Sequence, residues 1–138
     1  MTKLEKHVPS LEMCKRLKEL GFPQNSNLCY WMQNLTDGMW DLVEGPQRFS
    51  NSITLAAPIA TELLEWLPAY NSLRALTITK KDNKSFKSDR GFEIAYQNSN
   101  SIQRPIMKDD NLSEALAKLL IYLVENKIVS FEKEEINE

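Results

Sequence analysis

The chain has 138 residues, of which 42% are hydrophobic and 26% charged, and its 17 basic and 19 acidic residues leave a net charge of −2. This composition is typical of one globular domain with a real core, and it excludes a largely disordered chain. A net charge near zero creates no overall field that attracts a polyanion, so a nucleic-acid-binding protein would need a local basic patch. No stretch approaches the roughly 20 apolar residues of a membrane helix, and the first ten residues lack the apolar region of a signal peptide. We therefore expect a soluble, cytoplasmic protein without membrane contact.

The first predicted element is a helix from Ser10 to Leu20. Ser10 can cap its first turn, because a serine hydroxyl readily accepts a backbone N–H there. Gly21 follows the last turn, where a glycine often ends a helix, and Pro23 comes two residues later. The apolar side of this helix is formed by Met13, Cys14, Leu17 and Leu20.

The segment LCYWMQNLTDGMWDL, residues 28–42, predicts two strands joined by a turn. The strands cover residues 28–33 and 39–43, and Asp37 before Gly38 is typical of a tight turn. We interpret the aromatic residues as the inside of a sheet, because large aromatic side chains bury the most area. The alternative is a contact surface for a partner chain, built from Tyr30, Trp31 and Trp40.

Gly45-Pro46 breaks the strand pattern, and residues 52–56 then predict one more short strand. A second helix is predicted to begin at Pro58, which suits a first helical turn, and to end at Pro68. The apolar stripe of this helix is formed by Ile59, Leu63, Trp66 and Leu67.

Two later segments, residues 73–80 and 92–97, alternate between apolar and polar side chains. They predict an antiparallel hairpin with one buried face and one wetter face. Residues 98–108 read as a loop. The tip of the hairpin, residues 80–90, carries five basic and two acidic residues around Phe86.

This basic tip has two interpretations. A solvated loop, whose lysines discourage edge-to-edge pairing of strands, is the one we favour because the total charge is near zero. The alternative is a phosphate-contacting surface with an aromatic side chain available for base stacking. Its candidate nucleic-acid contacts are Lys80, Lys81, Lys84, Lys87 and Arg90.

A third helix follows, in which Asn111 and Glu114 have the spacing of a capping box. Apolar residues cover more than half of its circumference between Leu112 and Val124, so we expect it to pack centrally. The fold class predicted from these elements is α+β, a small antiparallel sheet of about four strands with three helices packed mainly on one face. Residues 1–131 form the single predicted domain, and residues 132–138 are an acidic tail that we expect to be disordered.

Residues that commonly carry chemistry are few and scattered. The only histidine, His7, and the two cysteines, Cys14 and Cys29, match no spacing of a zinc site. Both cysteines occupy apolar positions, which indicates small buried side chains in a reducing compartment. The four glycines never cluster into a phosphate-binding loop. We therefore predict neither a metal nor a cofactor.

Several carboxylates occur close together in the sequence, but each has a structural explanation. Asp37 precedes a turn glycine, and the doublet Asp109-Asp110 precedes a helix, whose positive end favours acidic groups. Asp41 lies within the predicted strand at residues 39–43, and Glu44 directly follows it. No catalytic residue is predicted, and we expect the protein not to be an enzyme.

Three segments together resemble a known group of proteins. They are VPSLEMCKRLKELGFPQ at residues 8–24, APIATELLEWLP at 57–68 and LSEALAKLLIYLVENK at 112–127. The chain resembles a family of small proteins of unassigned activity that are encoded by bacteriophages, prophages and related bacterial mobile elements. The resemblance implies a phage-type origin and a bacterial cytoplasmic setting, and it implies no site residue.

These observations lead to a non-enzymatic accessory protein that acts through protein contacts or self-association. Two alternatives remain open at this point. One is a nucleic-acid-associated protein that uses the basic hairpin at residues 80–90, and the other is a structural or assembly component of a phage.

Overall fold

The computed structural model describes residues 4–24, 28–44, 52–71, 74–82 and 90–131. In chain order these form a 3-10 turn (Leu4–His7), α1 (Leu11–Glu19), β1 (Cys29–Asn34), β2 (Trp40–Glu44), β3 (Ser52–Ala56), α2 (Ala60–Leu64), β4 (Tyr70–Asn71), β5 (Arg74–Asp82), β6 (Arg90–Gln97), β7 (Ile102–Asp109) and α3 (Leu112–Glu125). The predicted α+β class is confirmed. Three predicted features lie outside the described residues: the Gly45-Pro46 break, the hairpin tip at 83–89 and the acidic tail at 132–138.

The strands form two antiparallel sheets, whereas the sequence predicted one sheet of about four strands. In the three-stranded sheet the order is β2-β1-β3, so β1 pairs with both neighbours and Trp31 lies opposite Leu42 on one side and Leu55 on the other. In the four-stranded sheet the order is β4-β5-β6-β7, and its centre is the predicted hairpin of β5 and β6. None of the helices in the described ranges is long and apolar enough to cross a membrane.

The predicted loop at residues 98–108 is wrong, because β7 occupies most of it. β7 pairs with β6, and the register shifts between Ile94 and Tyr96. Pro105 hid this strand from sequence reasoning, since proline lacks the backbone donor that a central strand needs. β7 is an edge strand of its sheet, where proline is tolerated.

The second helix is shorter than predicted, because α2 covers only Ala60–Leu64. Its N-cap residue is Ile59, so Pro58 precedes the helix instead of beginning it. Isoleucine has no oxygen that could cap the helix, and the Glu62 carboxylate accepts the Ile59 N–H at 2.9 Å instead. After Leu64 the chain turns tightly, with backbone bonds between residues three apart that bring Leu67 into the core.

The N-terminal ends of α1 and α3 are joined through a side chain. Ser10 and Asn111 cap the two helices as predicted, accepting the N–H groups of Met13 at 3.3 Å and Glu114 at 3.2 Å. A capping box also requires the Glu114 carboxylate to accept the backbone N–H of Asn111. That part of the prediction is wrong, because the Asn111 N–H donates to the Asp109 carboxylate at 2.9 Å. The Glu114 carboxylate instead accepts the N–H of Ser10 at 2.8 Å and its hydroxyl at 3.1 Å. The last helix therefore completes the cap of the first.

The larger core surrounds α3, as its apolar circumference predicted. Eight of its fourteen residues are buried: Ser113, Ala115, Leu116, Ala117, Leu119, Leu120, Ile121 and Leu123. Ile94 and Tyr96 of β6 face this core with exposed fractions of 0% and 2%. At the C-terminal end of α3, Phe22, Trp66 and Phe131 form an aromatic triad, in which Phe131 lies 5.3 Å from each of the other ring centroids.

A smaller core lies on the other face of β1. It contains the buried side chains of Val8, Cys14, Cys29 and Ala57, and Trp31, Leu42 and Ile59 pack against it. Successive residues of a strand point to opposite faces, so Tyr30 joins the larger core while Cys29 and Trp31 join the smaller one. Both faces of the aromatic strand therefore contribute to packing.

Candidate functional site: two clefts beside the N-terminal turn

The three aromatic residues proposed as a partner surface have different surroundings. Tyr30 is only 5% exposed, so the structure removes it from the surface and supports its interpretation as a packing residue. Trp31 and Trp40 are half-buried. The indole N–H of Trp31 donates to the Pro9 carbonyl at 3.4 Å, and the Lys15 ammonium lies 5.6 Å from the Trp40 ring centroid. A cation at this distance is attracted to the ring face, so both tryptophans have contacts within the chain.

The basic hairpin is described only in part. Lys80 is exposed on β5, opposite Phe92 of β6. Lys81 and Arg90 lie within the paired strands, but their side chains are outside the described structure, as are residues Lys84 and Lys87 altogether. The nucleic-acid surface therefore stays a prediction.

Both cysteines are buried as predicted, and both are free thiols. Burial raises the pKa of Cys14 from 9.0 to about 12, with the Glu114 charge acting in the same direction and a hydrogen bond with Trp31 against it. Burial also raises the pKa of Cys29, and the charges of Glu44 and Glu62 add to that shift. Both thiols are therefore protonated near neutral pH, which makes them weak nucleophiles.

The predicted turn role of Asp37 is confirmed, and Asp109 has two contacts that the sequence did not predict. The Asp37 carboxylate accepts the N–H of Met39 at 2.9 Å within the turn. The Asp109 carboxylate accepts the N–H of Asn111 and pairs with the Lys118 ammonium at 2.9 Å. Among the described residues, no three His, Cys, Asp or Glu side chains converge as metal ligands would.

One concavity among the described residues, which we name the first cleft, has a volume of about 880 Å³. Its apolar wall comes from four places that are distant in sequence: the start of β1, the loop before α2, β6, and the first turn of α3. The apolar side chains that line it are Leu28, Cys29, Ile59, Ala60, Phe92 and Leu112. Leu28 is 62% exposed, so a large apolar side chain stands open to solvent at the edge of this wall.

Polar groups complete the lining of the first cleft. They include Lys6 and His7 from the N-terminal turn, Glu44 at the end of β2 and Asp110 before α3. The pairing of β1 with β2 places Glu44 directly opposite Cys29, which explains its position at the wall. All four of these polar residues are exposed. Apolar walls with a few polar groups at the edge are typical of binding sites.

Glu62 stabilises the wall of the first cleft from behind. Its two carboxylate oxygens accept the backbone N–H groups of Leu28 at 3.1 Å and Ile59 at 2.9 Å. One side chain thus fixes the chain before β1 to the chain before α2. The geometry of the wall consequently does not depend on a ligand.

A second cleft of about 770 Å³ lies on the other side of the N-terminal turn. Trp31 and Pro9 contribute apolar surface to it, and Lys6 and Asp110 line both clefts. The carboxylates that reach this cleft include Glu114, which is already bonded to Ser10. The second cleft is therefore more polar than the first, and carboxylates that line it, such as Glu114 and Asp109, are already bonded to other groups of the protein.

The turn between the clefts is fixed to the start of α3 by three side-chain bonds. The Asn111 amide donates to the carbonyls of Glu5 at 3.2 Å and Val8 at 2.7 Å. The Ser113 hydroxyl donates to the carbonyl of His7 at 2.6 Å. Since Val8 is also buried, the turn is firmly held beside the two clefts.

Glu44 and Asp110 stand out in the sequence as acidic residues, but the sequence does not indicate that they line the same cleft. They belong to different segments, and no motif relates them in the sequence. Leu28, Ile59 and Phe92 were assigned to helices and strands, and no local pattern distinguishes a core residue from one that lines a cleft. Only the tertiary arrangement shows the site.

No protein-family model matches the chain, and no curated protein or solved structure proves similar to it. The resemblance to phage-encoded proteins accordingly rests on the three sequence segments.

Proposed function

We propose that the protein is a non-enzymatic accessory protein of a bacteriophage or related mobile element, acting in the bacterial cytoplasm by binding an apolar segment of a partner protein in the first cleft. The observation that carries this proposal is the combination of an apolar wall and exposed polar residues in a cavity of about 880 Å³. This volume lies within the range of known ligand sites. A groove lined by Leu28, Ile59 and Phe92 suits the side chains of a peptide better than a polar metabolite.

The energy of such binding would come from removing apolar surface from water. Each leucine-sized or phenylalanine-sized anchor contributes roughly 1.5–3 kcal/mol when fully buried. The exposed Leu28 would lose its contact with solvent at the same time. A wall already fixed by Glu62 would limit the entropy lost on binding, because it needs no reordering.

Two features of the cleft support binding over catalysis. The Cys29 thiol has a raised pKa, so it is a poor nucleophile at neutral pH. The Glu62 carboxylate is occupied by two backbone N–H groups and is therefore not free to act as a base. Neither group offers the arrangement that nucleophilic catalysis requires.

The test is to select peptides from a displayed random library on the purified full chain and to measure their dissociation constants by calorimetry. Thr61 is exposed and lines the first cleft, so Thr61→Trp should fill the cleft without entering the core. We expect this variant to weaken peptide binding by about tenfold or more, the loss of one anchor. Thr54→Trp is the matched control, because Thr54 is also exposed, on β3, but does not line the cleft.

The proposal fails if no peptide is selected, or if the two tryptophan variants bind the selected peptides equally well. Urea unfolding of both variants shows whether each has kept its fold. Leu28→Ser provides a second probe of the same wall and should also weaken binding.

A further inference from the structure

The polar residues of the first cleft have unequal charges. Glu44 and Asp110 carry two negative charges, against one positive charge from Lys6. Within the described part of the chain, neither of these carboxylates has a hydrogen-bond or ion-pair partner in the protein. This contrasts with Asp109, whose charge is balanced by Lys118.

A third carboxylate lies directly behind the wall. Glu62 bonds to the backbone of Leu28 and Ile59, both of which line the cleft. The negative charges also act on the Cys29 thiol, which lines the cleft. Burial raises the pKa of this thiol, and the charges of Glu44 and Glu62 raise it further. The interior of the cleft is therefore apolar and its surroundings are negative.

We propose that the segment bound in the first cleft is basic, with an apolar anchor flanked by lysine or arginine residues. This inference rests on the proposed function and specifies its partner. The anchor contacts Leu28, Ile59 and Phe92, while the flanking cations lie beside Glu44 and Asp110. Like charges would repel at the same positions, so an acidic segment with the same anchor is disfavoured.

Lys6 acts against this preference and makes it testable in both directions. It lines the cleft together with the acids and would repel a cationic segment. Removing its charge should therefore strengthen the binding of a basic peptide, while removing the charges of the acids should weaken it.

The experiment uses three fluorescein-labelled peptides with the same Leu-Phe-Leu centre, flanked by Arg, by Gln or by Glu. Binding to the full chain is followed by fluorescence anisotropy at low and high salt. We expect the Arg peptide to bind tightest and the Glu peptide weakest, with a difference that shrinks as salt is added. The double variant Glu44→Gln/Asp110→Asn should weaken the Arg peptide by about three- to tenfold, the effect of two exposed ion pairs. Its affinity for the Gln peptide should change by less than about twofold.

A double variant with the same change in net charge is the control. Asp41→Asn/Glu65→Gln removes two exposed carboxylates that do not line the first cleft. It should leave the binding of the Arg peptide nearly unchanged, and Lys6→Gln should strengthen it. Equal losses in both double variants would overturn the inference, since they would indicate a general effect of net charge.

The outcomes separate this inference from the proposed function. If all three peptides bind equally and Thr61→Trp blocks them all, the cleft is a binding site but the partner is not basic. If Thr61→Trp blocks none of them, the proposed function itself fails. If the chain forms a dimer that Thr61→Trp abolishes, a second copy occupies the cleft and the inference of a basic partner segment is overturned.

Discussion

The two ends of α3 differ in what covers their apolar side chains. At the C-terminal end, Phe131 packs edge to face against both Phe22 and Trp66, which are tilted relative to each other, and the three rings close the core. At the N-terminal end, Leu112 lines an open cleft, and polar bonds from Asn111 and Ser113 supply the connection to the rest of the chain. The comparison indicates that apolar packing stabilises one end of the helix, while side-chain hydrogen bonds position a binding surface at the other.

The largest effect is expected from truncating the aromatic triad. Phe131 is 6% exposed and contacts both other rings, so Phe131→Ala should lower the free energy of unfolding by about 3–5 kcal/mol. Leu28→Ala at the open end should change it by less than about 0.5 kcal/mol, because Leu28 is 62% exposed. Urea unfolding of both variants measures the contrast, and equal losses would remove the distinction between the two ends.

A second contrast concerns two glycines with positive φ. Gly91 has φ +99°, and an added Cβ would lie 2.7 Å from the Asp109 carbonyl oxygen beside the first cleft. Gly38 has φ +73° with nothing within 4 Å of an added Cβ. Gly91→Ala should therefore cost about 1–3 kcal/mol more than Gly38→Ala, which carries only the backbone penalty. Thermal and urea unfolding test this order, and the reverse order would show that the open end relaxes easily.

Alkaline pH should weaken the fold through the smaller core beneath α1. The pKa of Cys14 rises from 9.0 to about 12 on folding, so the unfolded chain loses this proton first as the pH increases. Stability from this thiol is complete below pH 9 and is lost progressively between about pH 9 and pH 12. Between pH 8 and pH 10 the loss should be about 1 kcal/mol. In Cys14→Ala, the free energy of unfolding measured with urea should fall less steeply between about pH 8 and pH 10 than in the unaltered chain. An equally steep fall in both proteins would assign the effect to other groups.

A similarly small effect is expected at the junction of α1 and α3. Ser10→Ala removes the cap of α1 and one bond to Glu114, which should cost about 1 kcal/mol. A double-mutant cycle with Glu114→Ala measures the coupling between the two residues. The backbone N–H of residue 10 still donates to Glu114 in Ser10→Ala, so additive losses would mean that the bond from the Ser10 hydroxyl to Glu114 contributes nothing to stability.

The sequence was most informative where a local signal has one meaning. The caps Ser10 and Asn111, the turn at Gly38 and the β5–β6 hairpin all follow from short-range chemistry, and the structure confirms them. β7 was missed because a proline such as Pro105 is equally typical of a loop and of an edge strand. Only the position of β7 at the edge of the sheet distinguishes the two. The destination of the Glu114 side chain was also missed, since a partner more than a hundred residues away leaves no trace in spacing.

The candidate site was largely invisible for the same reason. Phe92 and Leu112 were correctly placed on a strand and a helix, and both are apolar, as core residues are. Whether such a side chain meets another element or an open cleft depends on how the two sheets and α3 are arranged. Glu44 and Asp110 likewise became neighbours of one cavity only through tertiary structure.

The bond between Glu114 and Ser10 also has a consequence for synthesis of the chain. The two residues are 104 positions apart, and ribosomes add about 5–20 residues per second. The first helix therefore waits about 5 to 20 seconds on the ribosome before the carboxylate that completes its cap has been made. During that interval its apolar side lacks α3 as well, so a chaperone that binds nascent chains has a defined stretch to protect until α3 has been made.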